Sequence, residues 1–332
     1  MRRLLLILPG IDRDDLQGVS LWRDTLKRKG QQYTGESRGL EHCIADLLGQ
    51  GSQQSDDIPA GAAVWRVLGA NQPALGSIMC AEPLHWLVGL NDAFAFDHHV
   101  LNIDEQEGRQ LTETLQQHIL AHWPCQFAFL GNGQFVLNWQ RTLDYTAQPP
   151  SAIRGRSMQT PFFYGKDAAI VQGLRSEVEM LCYQHEINTQ RSTNALPTVD
   201  GFWFWGGAPL VEKPEPPIPI SWLLADDDAW FIRGMADAAG IRYMPLSHGR
   251  LPSIAPDAVG CIVSQALQLE RMYAHSSHFH SPLLELLQLS WNALQENRVD
   301  VIEVWPLNGW RWVNQRPKSL FSMFRRKKYL QP

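Results

Sequence analysis

Several signatures that would assign a reaction class are missing from this sequence. It contains no GxxxxGK[ST] loop, no GxGxxG turn after its first apolar run and no GxSxG elbow. ATP-driven, dinucleotide-dependent and α/β-hydrolase chemistry therefore lack their usual phosphate cradles and nucleophile turn. Cysteine is sparse: Cys43, Cys80, Cys125, Cys182 and Cys261 are odd in number, scattered and without CxxC spacing. That pattern excludes a disulfide framework or a zinc ribbon, and it implies reduced thiols and a cytoplasmic location. No apolar run is long enough to cross a bilayer. The first run, Leu4 to Leu8 behind Arg2 and Arg3, is too short for a secretory h-region and has no small-residue cleavage site after it. Positive charge is not in excess either. A net charge of −5 gives no reason to expect a nucleic-acid partner, and the basic run Arg325-Arg326-Lys327-Lys328 reads as a solvated face.

What is present is an ordinary globular composition with many large aromatics. Hydrophobic residues make up 44% and charged residues 19% of 332 positions, and there are 13 tryptophans that must largely be packed. The continuous apolar run Leu4–Leu8 suits a central strand buried on both faces, Ile220–Ala225 is another apolar strand, and Val259–Val263 and Val299–Trp305 supply later strands. Helical patterns separate them, one of them over Trp230–Ala239 and stopped by Gly240. Phe202-Trp203-Phe204-Trp205 presents aromatics to both sides of a sheet, which places it with the main strands. This alternation predicts a layered α/β/α sandwich with a mainly parallel sheet, spanning 1–93 and 166–332.

Residues 94–165 read differently. Phe94–Ile103 alternates toward a strand, and Asp104–Trp123 has helical spacing. Two short runs then flank Gly131-Asn132-Gly133, a hairpin signal. A β-α-β-β unit of this kind predicts a small inserted α+β lobe.

Candidate chemistry gathers after apolar strands, where α/β folds place their sites. Asp12, Asp14 and Asp15 follow the first strand, Glu82 and His85 share a turn fixed by Pro83, and Asp226-Asp227-Asp228 follows the strand at 220–225. Such acidic clusters also serve as helix caps. His185, Asn188 and Arg191 recur every three residues on one helix, so they are expected to share a face. Asp97-His98-His99 carries ligand-type residues, but neighbours on a strand point opposite ways, which predicts a surface strand. His275, His278 and His280 are expected in a polar loop.

Five stretches together resemble a known family: Leu4–Gly10, the Ala81-Glu82-Pro83-Leu84-His85 turn, the helix from Met180 to Arg191, the Gly201–Gly207 strand and Ala225-Asp226-Asp227. They are similar to the bacterial RpfE-type regulatory proteins, also described as cofactor-independent phosphoglycerate mutase-like. The resemblance implies an alkaline phosphatase-like fold. It departs from the family pattern at Glu82, where Asp is usual, and at Tyr183, where a first histidine is usual. Pro9-Gly10 stands where active mutases carry an aspartate, so no metal ligand transfers.

The expected function is thus that of a phosphoglycerate mutase-like regulatory protein with a degenerate metal site. It would bind a small anion or a protein partner, with Glu82, His85, His185, Asn188 and Arg191 as the pocket. In that pocket Arg191 pairs with a phosphate or carboxylate, and Glu82 holds His85. The alternative is an active metal-dependent phosphomutase or phosphohydrolase, with Mn²⁺ or Zn²⁺ on a set such as Asp12, Glu82, His85 and Asp226. A third reading is an interaction protein using tryptophans around Trp305–Trp312.

Overall fold

A computed structural model describes residues 1–11, 31–32, 39–51, 56–69, 74–89, 93–156, 163–273 and 280–315. Asp12, Asp14, Asp15, His275, His278 and the basic run at 325–328 lie outside the described residues.

The first apolar run forms β1 (Arg3–Ile7), and its position explains its composition. It lies inside a seven-stranded sheet with β2 (Gln31–Gln32), β10 (Ile220–Ala225), β11 (Tyr243–Pro245), β12 (Val259–Val263), β13 (Val301–Trp305) and β14 (Trp310–Gln315), in the order β11-β10-β12-β1-β13-β14-β2. Pairings from β11 to β13 are parallel; β14 and β2 close one side antiparallel. Leu5 and Ile7 enter one apolar cluster, while Leu4, Leu6 and Leu8 enter another. Alternate side chains of one strand thus fill two cores, which is why the run is unbroken by polar residues. Each fully buried leucine contributes roughly 1.5–3 kcal/mol. Pro9-Gly10 ends the strand in a turn, with Gly10 at φ 80°.

Helices cover both faces. On one side lie α9 (Ala266–Tyr273) and α10 (His280–Gln295), contributing Leu267, Leu286, Leu287 and Leu294. On the other lie α1 (Leu40–Leu47), α2 (Ala60–Leu68) and α8 (Trp230–Ala238). The α/β class with a mainly parallel sheet holds. Among the described residues no helix is long and apolar enough to cross a membrane.

A second, antiparallel sheet packs beyond α2. It contains β3 (Ile78–Val88), β4 (Ala93–Phe96), β5 (Cys125–Phe129), β6 (Phe135–Trp139) and β9 (Gly201–Trp205). The predicted hairpin is present as β5–β6, with Gly131, Asn132 and Gly133 all at positive φ. The aromatic strand is also present and buried throughout, but it pairs antiparallel with β3 rather than joining the parallel sheet. Burial on both faces was legible in its residues; the neighbour that supplies its hydrogen bonds was not.

Phe94–Ile103 is not one strand. β4 stops at Phe96, Asp97 turns the chain as an N-cap, and His98–Leu101 is a short helix, α3. The helix expected through Arg191 is likewise two, α6 (Ala168–Tyr183) and α7 (Glu186–Thr193), broken at Gln184-His185. The helix predicted from Asp104 is α4 (Glu105–His122), with Asp104 and Glu107 forming a capping box. Between α4 and α6 lie β7 (Thr146–Ala147), the short α5 (Pro150–Ile153) and β8 (Phe163–Tyr164).

Two glycines set the spacing between the sheets. A Cβ on Gly61 of α2 would sit 2.2 Å from the carbonyl oxygen of Ile78 in β3, and one on Gly234 of α8 would sit 1.9 Å from that of Ala63 in α2. Backbone-to-backbone contact of this kind tolerates no side chain. On an exposed helix, glycine to alanine would gain about 1 kcal/mol from propensity. At Gly234 overpacking outweighs that gain, so Gly234→Ala is expected to destabilise by about 1–3 kcal/mol in urea unfolding. A more stable variant would show that the two helices can separate freely.

Candidate functional site

The carboxyl ends of the parallel strands face the antiparallel sheet across a small cavity. β10 ends in Asp226-Asp227-Asp228, and these three carboxylates have different roles. Asp226 accepts from Ser264 Oγ at 2.7 Å and from the Gln265 backbone N–H at 2.7 Å, tying β10 to the loop after β12. Burial raises its pKa to about 6 against those hydrogen bonds. Asp227 accepts from the Ser247 backbone N–H at 3.2 Å. Asp228 is 55% exposed and turns toward His99, with Oδ2 3.8 Å from Nε2.

The opposite wall comes from paired strands. Cys80 and Trp205 are register partners in β3 and β9, and both line the cavity; Glu82, two residues along β3, joins them. The cavity holds about 50 Å³, and its lining also includes His98, His99, Arg154 and Gln265.

Asp97 organises this wall. It is 2% exposed and accepts through Oδ1 from His99 Nδ1 at 2.9 Å, Tyr273 OH at 3.1 Å and the His99 backbone N–H at 3.3 Å. Through Oδ2 it accepts from Arg154 Nε and Nη2. Burial alone would push its carboxyl pKa up, but Arg154 and the neighbouring imidazoles hold it well below the usual range. His98 follows the same logic on a second carboxylate. Its Nδ1 meets Glu82 Oε1, and its backbone N–H donates to the same oxygen at 3.2 Å. Burial pulls its pKa down; the charge and hydrogen bond of Glu82, with Asp97 and Asp228, win and raise it from 6.5 to about 9. The two imidazole rings stack 3.9 Å apart at 33°.

Three of the lining residues carry a buried polar atom with no partner among the described residues: Arg154 Nη1, Trp205 Nε1 and Gln265 Oε1. Leaving a buried polar atom unpaired costs about 1–3 kcal/mol. Three gathered at one cavity mark a place where water or a ligand supplies the partners. Metal-ligating atoms are also close together: Asp97, His98 and His99 each offer one within 4.8 Å of the others.

The residues singled out by spacing are placed elsewhere. Arg191 is 2% exposed; Nη1 donates to both Glu107 oxygens at 2.8 and 2.6 Å, Nε to the Pro197 carbonyl at 2.6 Å and Nη2 to the Leu101 carbonyl. Asn188 donates to the carbonyls of Cys182 and Val199 and accepts from the Val199 N–H at 2.8 Å. His185 caps α7, with Nδ1 accepting from the Ile187 N–H at 3.1 Å and Nε2 donating to Thr114 Oγ1 at 2.9 Å. Burial lowers its pKa and so favours the neutral ring this geometry needs. The polarity of the trio is thus spent inside the fold.

Glu82 and His85 do not pair. Three residues apart on β3 they face opposite ways; His85 Nδ1 lies 3.0 Å from Asp200 Oδ2, and the hydrogen bond to Asp200 raises its pKa. Of the proposed metal set, Glu82 reaches the cavity but its carboxylate holds His98, and Asp226 holds the β12 loop.

The sequence pattern set Asp97-His98-His99 aside as a surface strand and did not single out Arg154. An aspartate before two histidines is a helix N-cap signal, but a helix of one turn carries no periodicity to reveal it.

Comparison with protein-family models and with curated proteins found no match. Solved structures similar to this chain include the PH0037 protein from Pyrococcus horikoshii, 14% identical, with a TM-score of 0.45 over 91% of this chain and 81% of that one. Another is the cofactor-independent phosphoglycerate mutase from Thermoplasma acidophilum DSM 1728, 12% identical, with a TM-score of 0.38 over 91% and 85%. At this level of likeness, the site stands on its own geometry.

Two outcomes are expected. Asp97→Asn leaves Arg154 buried without its counter-charge and should cost about 3–5 kcal/mol in urea unfolding, while Asp97→Asn with Arg154→Met should cost clearly less than the two single changes summed. The second concerns pH. Because His98 is raised from 6.5 to about 9 in the folded chain, its contribution to stability is complete below pH 6.5 and is lost as pH climbs through about 9. Glu82→Gln should flatten that part of the stability profile; an unchanged profile would remove the pair from the account.

Proposed function

We propose that the chain binds a small oxyanion, a phosphate or carboxylate group, in the cavity between the two sheets. One observation carries this: Arg154, a residue of the cavity lining, is 5% exposed and fixed by Asp97 through Nε and Nη2, and its buried Nη1 has no partner among the described residues. A guanidinium so fixed needs no reorganisation to receive an acceptor. Trp205 Nε1 adds a second unpartnered donor, and Gln265 offers an amide that can rotate to donate.

The chemistry of the occupant follows from the lining. Two fixed donors favour an acceptor-rich group. Of the three carboxylates in the lining, Glu82 is offset by His98, Glu41 is engaged by Ser151, and Asp228, at the exposed edge, faces His99 across 3.8 Å. A volume of about 50 Å³ holds a few waters or one phosphate-sized headgroup, with the rest of a larger ligand outside. This keeps the anion-binding, regulatory role implied by the sequence resemblance and transfers the anion contact from Arg191 to Arg154.

Titration calorimetry with inorganic phosphate, and separately with malonate, tests it. Trp205→Phe removes one donor while keeping the aromatic packing. It should weaken binding about 5- to 10-fold, the worth of one hydrogen bond. Absence of saturable binding for both anions, or binding indifferent to Trp205→Phe and to Gln265→Leu, would overturn the proposal.

A further inference from the structure

We infer that His98, His99 and Asp228 form a binding site for one divalent transition metal at the edge of this cavity. Three observations place it there. First, both imidazoles have the same nitrogen committed. His98 Nδ1 is held by Glu82 and His99 Nδ1 by Asp97, at 2.9 Å in the second case. A carboxylate only accepts, so each Nδ1 carries a proton and Nε2 is the nitrogen left to ligate; at His98 a metal would displace the second proton that Glu82 helps the ring to hold. This is the carboxylate–histidine arrangement that orients metal-bound imidazoles in proteins.

Second, the rings lie together against the habit of their backbone. Successive residues on a helix point about 100° apart, yet these rings stack at 3.9 Å. Two separate carboxylates from two separate segments hold them there.

Third, His99 Nε2 and Asp228 Oδ2 face each other at 3.8 Å. That gap exceeds a hydrogen bond. It lies within what two metal–ligand bonds of about 2.0–2.2 Å can span. Among the described residues, Asp228 is the carboxylate of its triplet that accepts no hydrogen bond, unlike Asp226 and Asp227.

Two imidazoles and one carboxylate suit Zn²⁺, Mn²⁺, Fe²⁺ or Co²⁺ rather than Mg²⁺ or Ca²⁺. Three protein ligands leave at least one position open for a further ligand. His98, His99 and Asp228 line the same cavity as Arg154 and Trp205. The metal site does not require the oxyanion proposal; if both stand, an anion taken up by the cavity has a metal beside it. Asp97, the remaining member of the close Asp-His-His group, is a positioning residue, because its oxygens are already occupied by Arg154, Tyr273 and His99.

The test is a titration of the chelator-treated full chain with Zn²⁺, Mn²⁺ and Co²⁺ by calorimetry, with the visible spectrum of the Co²⁺ form as a second readout. One saturable site is expected, with ligand-field bands for Co²⁺. His98→Gln and His99→Gln should each lower affinity at least 100-fold, and Glu82→Gln about 10- to 100-fold, as the loss of an orienting carboxylate does. Asp228→Ala alters an exposed side chain and keeps the fold testable if the histidine variants unfold; it should also lower affinity and shift the Co²⁺ spectrum. No saturable binding of any of the three ions, or affinity unchanged in Asp228→Ala and His99→Gln, would overturn the inference. Trp205→Phe should leave metal binding unchanged while weakening phosphate, so the two proposals fail separately.

Discussion

The fold's most demanding interaction is the buried pair between Asp97 and Arg154. Neither side chain is more than 3% exposed, and charges removed this far from water survive only when fully matched. Matching Asp97 takes more than Arg154: it also takes His99, two residues on in the helix that Asp97 caps, and Tyr273 from α9. α9 belongs to the parallel-sheet side and β4 to the antiparallel sheet. One carboxylate therefore fixes how the two halves meet, and everything that lines the cavity is referred to it.

This dependence decides how much of the molecule could be read in advance. Strands buried on both faces announce themselves by unbroken apolar runs, as Leu4–Leu8 and Val259–Val263 do, because every side chain meets a core. The β5–β6 hairpin is equally legible, since Gly131-Asn132-Gly133 supplies positive φ locally. Phe202–Trp205 shows the limit. Its residues dictate burial, but burial is the same whether the neighbouring strand runs parallel or antiparallel, so its assignment to the wrong sheet could not be corrected from within the strand.

The site was least legible because its polar residues are defined by distant partners. Arg191, Asn188 and His185 have the look of a pocket until Glu107, Val199 and Thr114 arrive to satisfy them. His98 and His99 look like opposed strand residues until Glu82 and Asp97 turn both rings to one side. In each case the same side-chain chemistry serves structure or ligand according to whether the fold returns a partner. Arg154 shows both within one guanidinium, with two nitrogens given to Asp97 and a third left over.

The contacts at Gly61 and Gly234 bear on how a ligand would be selected. Where main chain rests directly on main chain, no layer of side chains is available to slide or re-pack, and α2 joins β3 and α8 into one closely packed body. A cavity framed by such a body works as a fixed template. Discrimination between ligands then comes from size and from the cost of stripping their water, rather than from closure around them.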